Sequence, residues 1–322
     1  MPEIIARRLG KTDLEITPIG LGAMEFSGGK GPFKYFLAAV PYETQDEVIK
    51  VALDGGMNWV DTAEIYGSGE SERAVARGLK AAGVTPGEVL ITTKWMPVAR
   101  RAKSMRGSAK KSTERLAPYS IDLYLVHRPE SLSSVDTQMD EMAKLVDEGV
   151  IRAVGVSNFS ASRMIKAHEA LAERGLPLVA NQMHFSLVKR KIETNGVLDA
   201  AKELGITIIA YTPLGMGSLT GHLHRNPELL QEMPRFRRRR VGRQLEKTKP
   251  LIDALETIAS EHEATVAQIV LNWTVNYHGE TIVAIPGSSK TYQAEQNAGA
   301  MRISLTREQM ETISNLSHEC LQ

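Results

Sequence analysis

The chain has 322 residues, 42% of them hydrophobic, and its 39 Lys and Arg balance 38 Asp and Glu to a formal net charge of +1. This balance argues against a nucleic-acid partner, and no apolar run approaches the ~20 residues that span a bilayer, so no membrane partner is expected. The lone Cys320 excludes an intramolecular disulfide and a cysteine metal cluster, and the histidines lack ligand-like spacing, so we predict no metal site. The N-terminus lacks a signal-peptide hydrophobic region, so we predict a cytoplasmic protein.

The first half of the chain alternates strand-like apolar runs with amphipathic, helix-like stretches. In chain order the pattern predicts a strand over 19–24, a helix capped at Thr44, a strand to Asp61, a helix over 70–82, a strand to Lys94, a helix over 108–116, a strand to His127 and a helix over 135–147. Each of these strands gives way to polar residues at its C-terminal end.

The second half continues the alternation. It predicts a strand over 152–156, a helix capped at Ser160, a strand over 178–182, a helix over 196–204, a strand over 206–211, a core helix over 265–276, a strand over 281–285 and a helix over 292–301. Eight β units without a flexible linker predict a single α/β domain over 1–322, a closed (β/α)8 TIM barrel. A doubly wound sheet would open with a Gly-x-Gly-x-x-Gly turn after its first strand, and the nearest match, at 215–221, comes late with the wrong spacing.

Three segments fall outside the repeat. Residues 2–18 predict an N-terminal hairpin that caps the bottom of the barrel, whereas 25–42 and 212–244 predict long loops on the C-terminal rim. Loops this long in a compact domain are usually functional, and the C-terminal rim is where such barrels carry their chemistry.

Four chemically matched side chains are expected to meet on that rim: Asp61, Tyr66, Lys94 and His127. Taken singly, each residue fits an ordinary structural role. Together they supply a phenol, that of Tyr66, and neighbouring groups that can shift its pKa. A tyrosine has a pKa near ~10, which a nearby ammonium such as Lys94 would lower, with Asp61 as counter-ion. Such a phenol could protonate a carbonyl oxygen as hydride arrives at carbon, and the hydride requires a cofactor.

The chain resembles the aldo-keto reductase family over nearly its whole length. The motifs that carry the resemblance are the stretches 60–67, 92–94 and 122–129, followed by 155–159, 181–182, 211–215 and 285–290. The resemblance implies that Tyr66 is the general acid and that Asp61, Lys94 and His127 form its relay. It also implies a nicotinamide dinucleotide bound across the rim, NADP(H) with NAD(H) as the alternative.

The residues expected at the cofactor fall into groups with different tasks. Ser157, Asn158 and Gln182 offer hydroxyl and amide groups for the carboxamide, although Asn158 alone also fits a turn, and Tyr211 offers a flat ring for stacking. The loops around 212–219 and 287–290 suit the phosphates, and Lys290 suggests a 2′-phosphate. The full set comprises Gly22, Ala23, Met24, Asp61, Ser157, Asn158, Gln182, Tyr211, Thr212, Pro213, Leu214, Gly215, Met216, Ser218, Leu219, Arg239, Ile285, Gly287, Ser288, Ser289, Lys290, Gln293, Gln296 and Asn297.

Two places depart from the common family pattern or leave alternatives open. Many family members have arginine at Gln293 and glutamate at Gln296, whereas glutamine at the first place is typical of the branch that includes potassium-channel β-subunits. The arginine run 235–240 fits a solvated loop, a mobile clamp over the cofactor phosphates or a nucleic-acid patch, with Arg239 as the candidate phosphate contact.

The expected function is the NADP(H)-dependent reduction of an aldehyde or ketone. The expected substrate contacts are Met24, Phe26, Tyr66, Trp95 and His127, and Phe33, Tyr35, Phe36 and Met96 would add to an apolar pocket. The alternatives are a dehydrogenase of a sugar, polyol or pyridoxine-type alcohol, or a cofactor-binding regulatory subunit. A small carbonyl or alcohol is the expected partner, and a homo-oligomer is possible.

Overall fold

A computed structural model of the chain describes residues 4–27, 38–232 and 235–321. The described chain opens with a short antiparallel hairpin, β1 (Arg7–Arg8) and β2 (Glu15–Ile16). The strands that follow all belong to one sheet of eight parallel strands: β3 (Leu21–Gly22), β4 (Trp59–Asp61), β5 (Leu90–Trp95), β6 (Ile121–Val126), β7 (Ile151–Ser157), β8 (Leu178–His184), β9 (Thr207–Tyr211) and β10 (Ile282–Ile285).

The sheet closes on itself, as a barrel requires. Its strands pair in chain order from β3 to β10, and parallel bridges join Ile19 to Ala284 and Gly22 to Gly287 across the seam. A backbone N–H···O bond of 2.9 Å from Gly20 to Ala284 continues this seam. The predicted (β/α)8 barrel is therefore confirmed. Its strands are near-continuous apolar runs in the sequence because both faces of the sheet are covered.

Helices cover the outside of the barrel. In chain order they are α1 (Tyr42–Asp54), α2 (Glu70–Ala81), α3 (Met105–Leu116), α4 (Val135–Asp147), α5 (Ala161–Ala172), α6 (Val197–Leu204), α7 (His222–Arg225), α8 (Arg235–Glu261), α9 (Val266–Asn276), α10 (Thr291–Gly299) and α11 (Arg307–Leu321). Ser160 caps α5 as predicted, and Thr265 forms a capping box with Gln268 at the start of α9. Within the described ranges, none of these helices combines the length and apolar character needed to cross a bilayer.

The hydrophobic core lies in two places. The larger cluster fills the space between the sheet and the surrounding helices, and a smaller one fills the barrel interior at its N-terminal end. Leu9, Leu14 and Ile16 of the hairpin belong to this smaller cluster, where they meet Trp59 and Leu123 of the barrel strands. The hairpin therefore closes the bottom of the barrel, as predicted, and leaves the opposite end for chemistry.

Two local predictions are wrong. Helix α1 begins at Tyr42 after Pro41, not at a Thr44 cap, because the fixed φ of proline (−57° here) already suits the entry into a helix. The segment 212–244 is not one long loop, because it contains α7 and the start of α8 at Arg235. Arginine is a good helix former, so a run of arginines is compatible with a helix as well as with a loop. Residues 28–37, including Phe33, Tyr35 and Phe36, lie outside the described residues.

Candidate active site

The four side chains predicted to converge on the C-terminal rim do lie together. Asp61 ends β4, Lys94 lies near the end of β5, and His127 directly follows β6. The backbone N–H of His127 donates to the carbonyl of Trp95 at 2.9 Å, which continues the pairing of β6 with β5. The Lys94 ammonium lies 5.0 Å from the centre of the Tyr66 ring, and the Tyr66 and His127 rings meet edge to face at 5.7 Å. Parallel strands bring their carboxyl ends to one edge, which is why positions far apart in sequence meet here.

A tight turn holds Tyr66 in place. The turn Tyr66–Gly69 places Gly67 at φ +60°, and a Cβ on Gly67 would overlap the carbonyl of Ser27 in the turn Met24–Ser27. Only glycine allows both the backbone angle and this close approach. Gly67 therefore allows the loop that carries the Tyr66 phenol to pack closely against the first βα loop.

Asp61 and Lys94 form a buried ion pair that a third residue completes. The Lys94 ammonium donates to Oδ1 of Asp61 at 2.5 Å and to the carbonyl of Thr62 at 2.7 Å, and the Gln182 amide donates to Oδ2 of Asp61 at 2.8 Å. Burial raises the pKa of Asp61 and lowers that of Lys94, and the attraction between the two charges opposes both shifts. Sequence reasoning assigned Gln182 to the cofactor and missed this bond, because β8 and β4 face each other only across the closed barrel.

The predicted lowering of the Tyr66 pKa is wrong in direction. Burial raises the pKa of Tyr66 well above its ordinary value, and the carboxylates of Asp61 and Glu25 raise it further. The charge of Lys94 is matched by Asp61, as predicted, and its attraction for a phenolate does not outweigh the effect of burial on Tyr66. Burial, and then the charges of Lys94 and Arg128, hold the pKa of His127 well below its ordinary value, which leaves a neutral imidazole beside a neutral phenol.

The polar residues at the ends of β7, β8 and β9 form one hydrogen-bond network. The Asn158 amide donates to the Ser157 hydroxyl at 2.9 Å and accepts from the Tyr211 hydroxyl at 2.9 Å, while Ser157 donates to the carbonyl of Gln182 at 3.0 Å. Tyr211 also stacks on His184 at 5.1 Å. Sequence reasoning missed His184, although the β8–β9 register, which pairs it with Tyr211, follows from the barrel.

A cleft of about 790 Å³ lies among the loop that follows β9, the helices α7 and α8, and the loop and helix that follow β10. Its walls include several residues predicted to bind a cofactor: Leu214, Met216, Gly287, Gln293, Gln296 and Asn297. Arg225, Glu256 and Tyr292 also line it, and the first two form an ion pair at 2.6 Å. Sequence reasoning missed these three: Arg225 lies on α7, in the segment predicted as a loop, whereas Glu256 and Tyr292 lie on α8 and α10 and meet the cleft only through tertiary packing.

The loop before α10 is tied to that helix. The side-chain oxygen of Gln293 accepts from the N–H of Ser289 at 2.8 Å, from the Ser289 hydroxyl at 3.2 Å and from the N–H of Lys290 at 3.2 Å. The Asn297 amide donates to the Ser288 hydroxyl at 3.0 Å. The Lys290 side chain remains exposed, with its ammonium 5.7 Å from the Tyr292 ring.

Some predicted site residues lie away from the open cleft. Phe26 and Trp95, predicted to contact substrate, are buried in the main core, and Leu219 is also fully buried. Arg239 is exposed on α8, outside the set of residues that line the cleft. The roles assigned to these residues stay predictions.

The donor set fits a nicotinamide dinucleotide. The Nδ1 atom of His127 is buried without a hydrogen-bond partner in the described part of the chain, next to the Tyr66 ring. A Cβ on Gly22 would stand 2.8 Å from the carbonyl of Ile285, so the backbones of β3 and β10 approach each other closely where the barrel closes. Amides and hydroxyls lie on one side of the rim, and glycine backbone and Lys290 lie on the other.

Comparison with known proteins gives one consistent result. The family model described as "Aldo/keto reductase family" matches residues 18–318. A Glycine max protein named "Probable aldo-keto reductase 1" is 30% identical over 322 aligned residues, covering 95% of this chain and 87% of that protein. An uncharacterized oxidoreductase of Mycobacterium bovis is 34% identical over 306 aligned residues, covering 94% and 89%.

Solved structures agree with these relatives. A thermostable aldo-keto reductase in complex with the inhibitor epalrestat superposes with a TM-score of 0.77 at 28% identity, covering 97% of this chain and all (100%) of that one. A glycerol dehydrogenase from Gluconobacter oxydans superposes with a TM-score of 0.79 at 27% identity, covering 97% of this chain and 94% of that one.

Proposed function

The chain belongs to the aldo-keto reductase family of oxidoreductases, and on that premise we propose that it is an NADP(H)-dependent enzyme that reduces aldehydes or ketones to alcohols. The observation that carries the proposal is the grouping of Tyr66 with a buried Lys94–Asp61 pair and a neutral His127 on the C-terminal rim of the barrel. A protein that only binds a dinucleotide has no need of this acid–base group.

Each side chain has a definite task in the proposed reaction. When bound, the nicotinamide supplies the hydride that reaches the carbonyl carbon. Tyr66 donates its phenolic proton to the carbonyl oxygen, and its raised pKa keeps that proton in place until the oxygen becomes basic. The Lys94 ammonium, 5.0 Å from the ring, stabilises the phenolate left behind, and Asp61 and Gln182 hold Lys94 in position.

His127 orients the substrate in this scheme. Its low pKa keeps the imidazole neutral at neutral pH, so one ring nitrogen can donate to the substrate oxygen without adding a charge beside Lys94. The reaction runs in either direction with the same groups. A dehydrogenase of a polyol or sugar alcohol is therefore the second candidate, favoured by the superposition on a structure titled as a glycerol dehydrogenase.

Substitution of Tyr66 tests the mechanism. We expect Tyr66→Phe to lower kcat by about 10²–10⁴-fold in assays of NADPH oxidation across a panel of aldehydes and ketones, while NADPH binding measured by fluorescence is retained. Tyr124→Phe is the matched control, because the Tyr124 hydroxyl is buried in β6 without a described partner and should not affect turnover. Full activity of Tyr66→Phe would refute the mechanism. NADPH binding without turnover of any carbonyl or alcohol would point to a regulatory subunit instead.

The preference for NADP(H) over NAD(H) is proposed on Lys290 alone. Its exposed ammonium, beside the cleft that Tyr292 lines, can pair with a 2′-phosphate. The backbone N–H groups of Ser289 and Lys290 already hold the Gln293 oxygen and are not open to a phosphate in this arrangement. We expect Lys290→Met to weaken NADPH binding by about tenfold and to leave NADH binding unchanged. Equal losses for both cofactors would contradict the assignment.

A further inference from the structure

Glu25 brings a carboxyl group into the seam between the catalytic side chains and the cleft. It lies in the turn Met24–Ser27, directly after β3. A Cβ built on Gly287 would overlap both oxygens and the carboxyl carbon of Glu25, so the carboxyl lies against the backbone of that glycine. Gly287 itself lines the cleft. Glu25 therefore borders the space assigned to the dinucleotide and also acts on Tyr66 through its charge.

This carboxyl is not compensated as the neighbouring ones are. Asp61 is held by Lys94 and Gln182, and Glu64 accepts from Arg100 at 2.7 Å. By contrast, Oε2 of Glu25 is buried without a hydrogen-bond partner, and no ion pair in the described ranges includes this residue. Burial, opposed only by the backbone of Glu25 itself, raises its pKa to about 7. Glu25 as a whole is partly exposed, but this oxygen is buried, so ionisation places charge on an atom that has no hydrogen-bond partner in the described chain, which is costly.

We propose that Glu25 makes dinucleotide binding proton-linked: the site takes the anionic cofactor with this carboxyl protonated, so that affinity falls as the carboxyl ionises. The inference rests on the proposed function, because it needs a dinucleotide along Gly287. The physical reason is that the pyrophosphate of a dinucleotide is an anion, and two like charges close together in a site of low dielectric repel each other strongly. A protonated carboxyl removes the repulsion and can also donate a hydrogen bond.

Other titratable and charged groups surround Glu25, so substitution of Glu25 itself is needed to separate its pH dependence from theirs. The titratable and charged groups on the elements around its turn are Tyr66, Asp61, Lys94 and His127 at the strand ends, Glu70, Glu72, Arg73, Arg77 and Lys80 on α2, and Lys290 before α10. Glu70 pairs with Arg73, and Glu72 with Arg115. The pKa of Tyr66 lies well above 10, and that of His127 lies well below 6.5, so neither titrates between pH 7 and 9.

The expected pH dependence follows from the linkage of protons to binding. If only the protonated carboxyl accepts the dinucleotide, a pKa of about 7 leaves half of the free protein competent at pH 7 and about 1% at pH 9. The apparent affinity should therefore fall about 50-fold between these pH values. Proton uptake on binding should rise from about half a proton at pH 7 towards one at pH 8.5.

Calorimetry of NADPH binding in two buffers of different ionisation enthalpy measures that proton uptake directly. The unsubstituted protein is compared with Glu25→Gln, which keeps the shape of the side chain and removes its titration. The matched control is Glu295→Gln, because Glu295 is an exposed acid on α10. Protonation of the NADPH 2′-phosphate contributes equally to all three proteins, so the difference between them isolates Glu25. We expect Glu25→Gln to lose the extra proton uptake and Glu295→Gln to behave as the unsubstituted protein.

The outcomes separate this inference from the proposed function. Equal proton uptake by Glu25→Gln and the unsubstituted protein overturns the role of Glu25 and leaves the proposed function standing. If the unsubstituted protein binds neither NADPH nor NADH, the proposed function falls, and the inference falls with it. Should Glu25→Gln fail to fold, the pH profile of NADPH affinity in the unsubstituted protein still decides, because a flat profile from pH 7 to 9 overturns the proposal.

Discussion

The uncompensated carboxyl of Glu25 should also make the free protein less stable at alkaline pH. Its pKa is 4.5 in ordinary surroundings and about 7 in the fold, so the folded protein holds the proton more tightly than the unfolded chain. Its contribution to stability is thus fully present below pH 4.5 and is lost as the pH rises to 7. At about 1.36 kcal/mol per pKa unit, the whole shift corresponds to about 3 kcal/mol, and about 2 kcal/mol of it falls between pH 5.5 and 8.5.

Urea unfolding of Glu25→Gln at pH 5.5 and pH 8.5 measures this contribution. The glutamine does not titrate, so the variant should be spared the loss of about 2 kcal/mol that Glu25 causes in the unsubstituted protein. The change in unfolding free energy between the two pH values is compared for the two proteins, so a constant effect of the substitution cancels. Glu295→Gln should follow the unsubstituted protein. If Glu25→Gln loses as much stability on raising the pH as the unsubstituted protein, the carboxyl is not the buried, uncompensated group described above.

Three further substitutions test other parts of the structure. Lys94→Met should lower the unfolding free energy by about 3–5 kcal/mol, because it leaves Asp61 as a buried charge without its cation; equal stability in urea would contradict the buried pair. Gly22→Ala should cost about 1–3 kcal/mol in the same assay, because its Cβ would stand 2.8 Å from the carbonyl of Ile285, and a neutral result would show that the barrel seam can widen. Thr265→Ala should cost about 1 kcal/mol through the lost cap of α9, and thermal unfolding without a shift would show that the cap is dispensable.

Local patterns in the chain were enough to predict the barrel and the position of its four rim residues. Apolar runs that end in polar residues predict strands whose C-terminal ends carry chemistry, and parallel pairing in chain order then brings those ends together. The hairpin over 2–18 was predictable in the same way. Helix starts were less predictable, as α1 illustrates, because a local capping pattern at Thr44 was overridden by Pro41, whose fixed φ suits an earlier entry.

The electrostatics of the site could be predicted only in part. The predicted pairing of Lys94 with Asp61 is confirmed, but burial, with the nearby carboxylates, raises the Tyr66 pKa where a lysine near a tyrosine implied a lowered one. Burial depth and the bond from Gln182 depend on which strands face each other across the barrel. Sequence spacing carries no information on either.

By itself, then, the sequence determined the barrel, the order of its strands and the chemical types gathered on its rim, because these follow from local periodicity and from the rules of parallel pairing. Only the tertiary structure decided how deeply these groups are buried and which carboxyl oxygen lacks a partner. It showed that the Gln293 oxygen accepts from the backbone N–H groups of Ser289 and Lys290, and that Oε2 of Glu25 is buried near Gly287 without a hydrogen-bond partner in the described chain. The physical reason is that the cost of a charge depends on its distance to water and to other charges, and folding alone sets those distances.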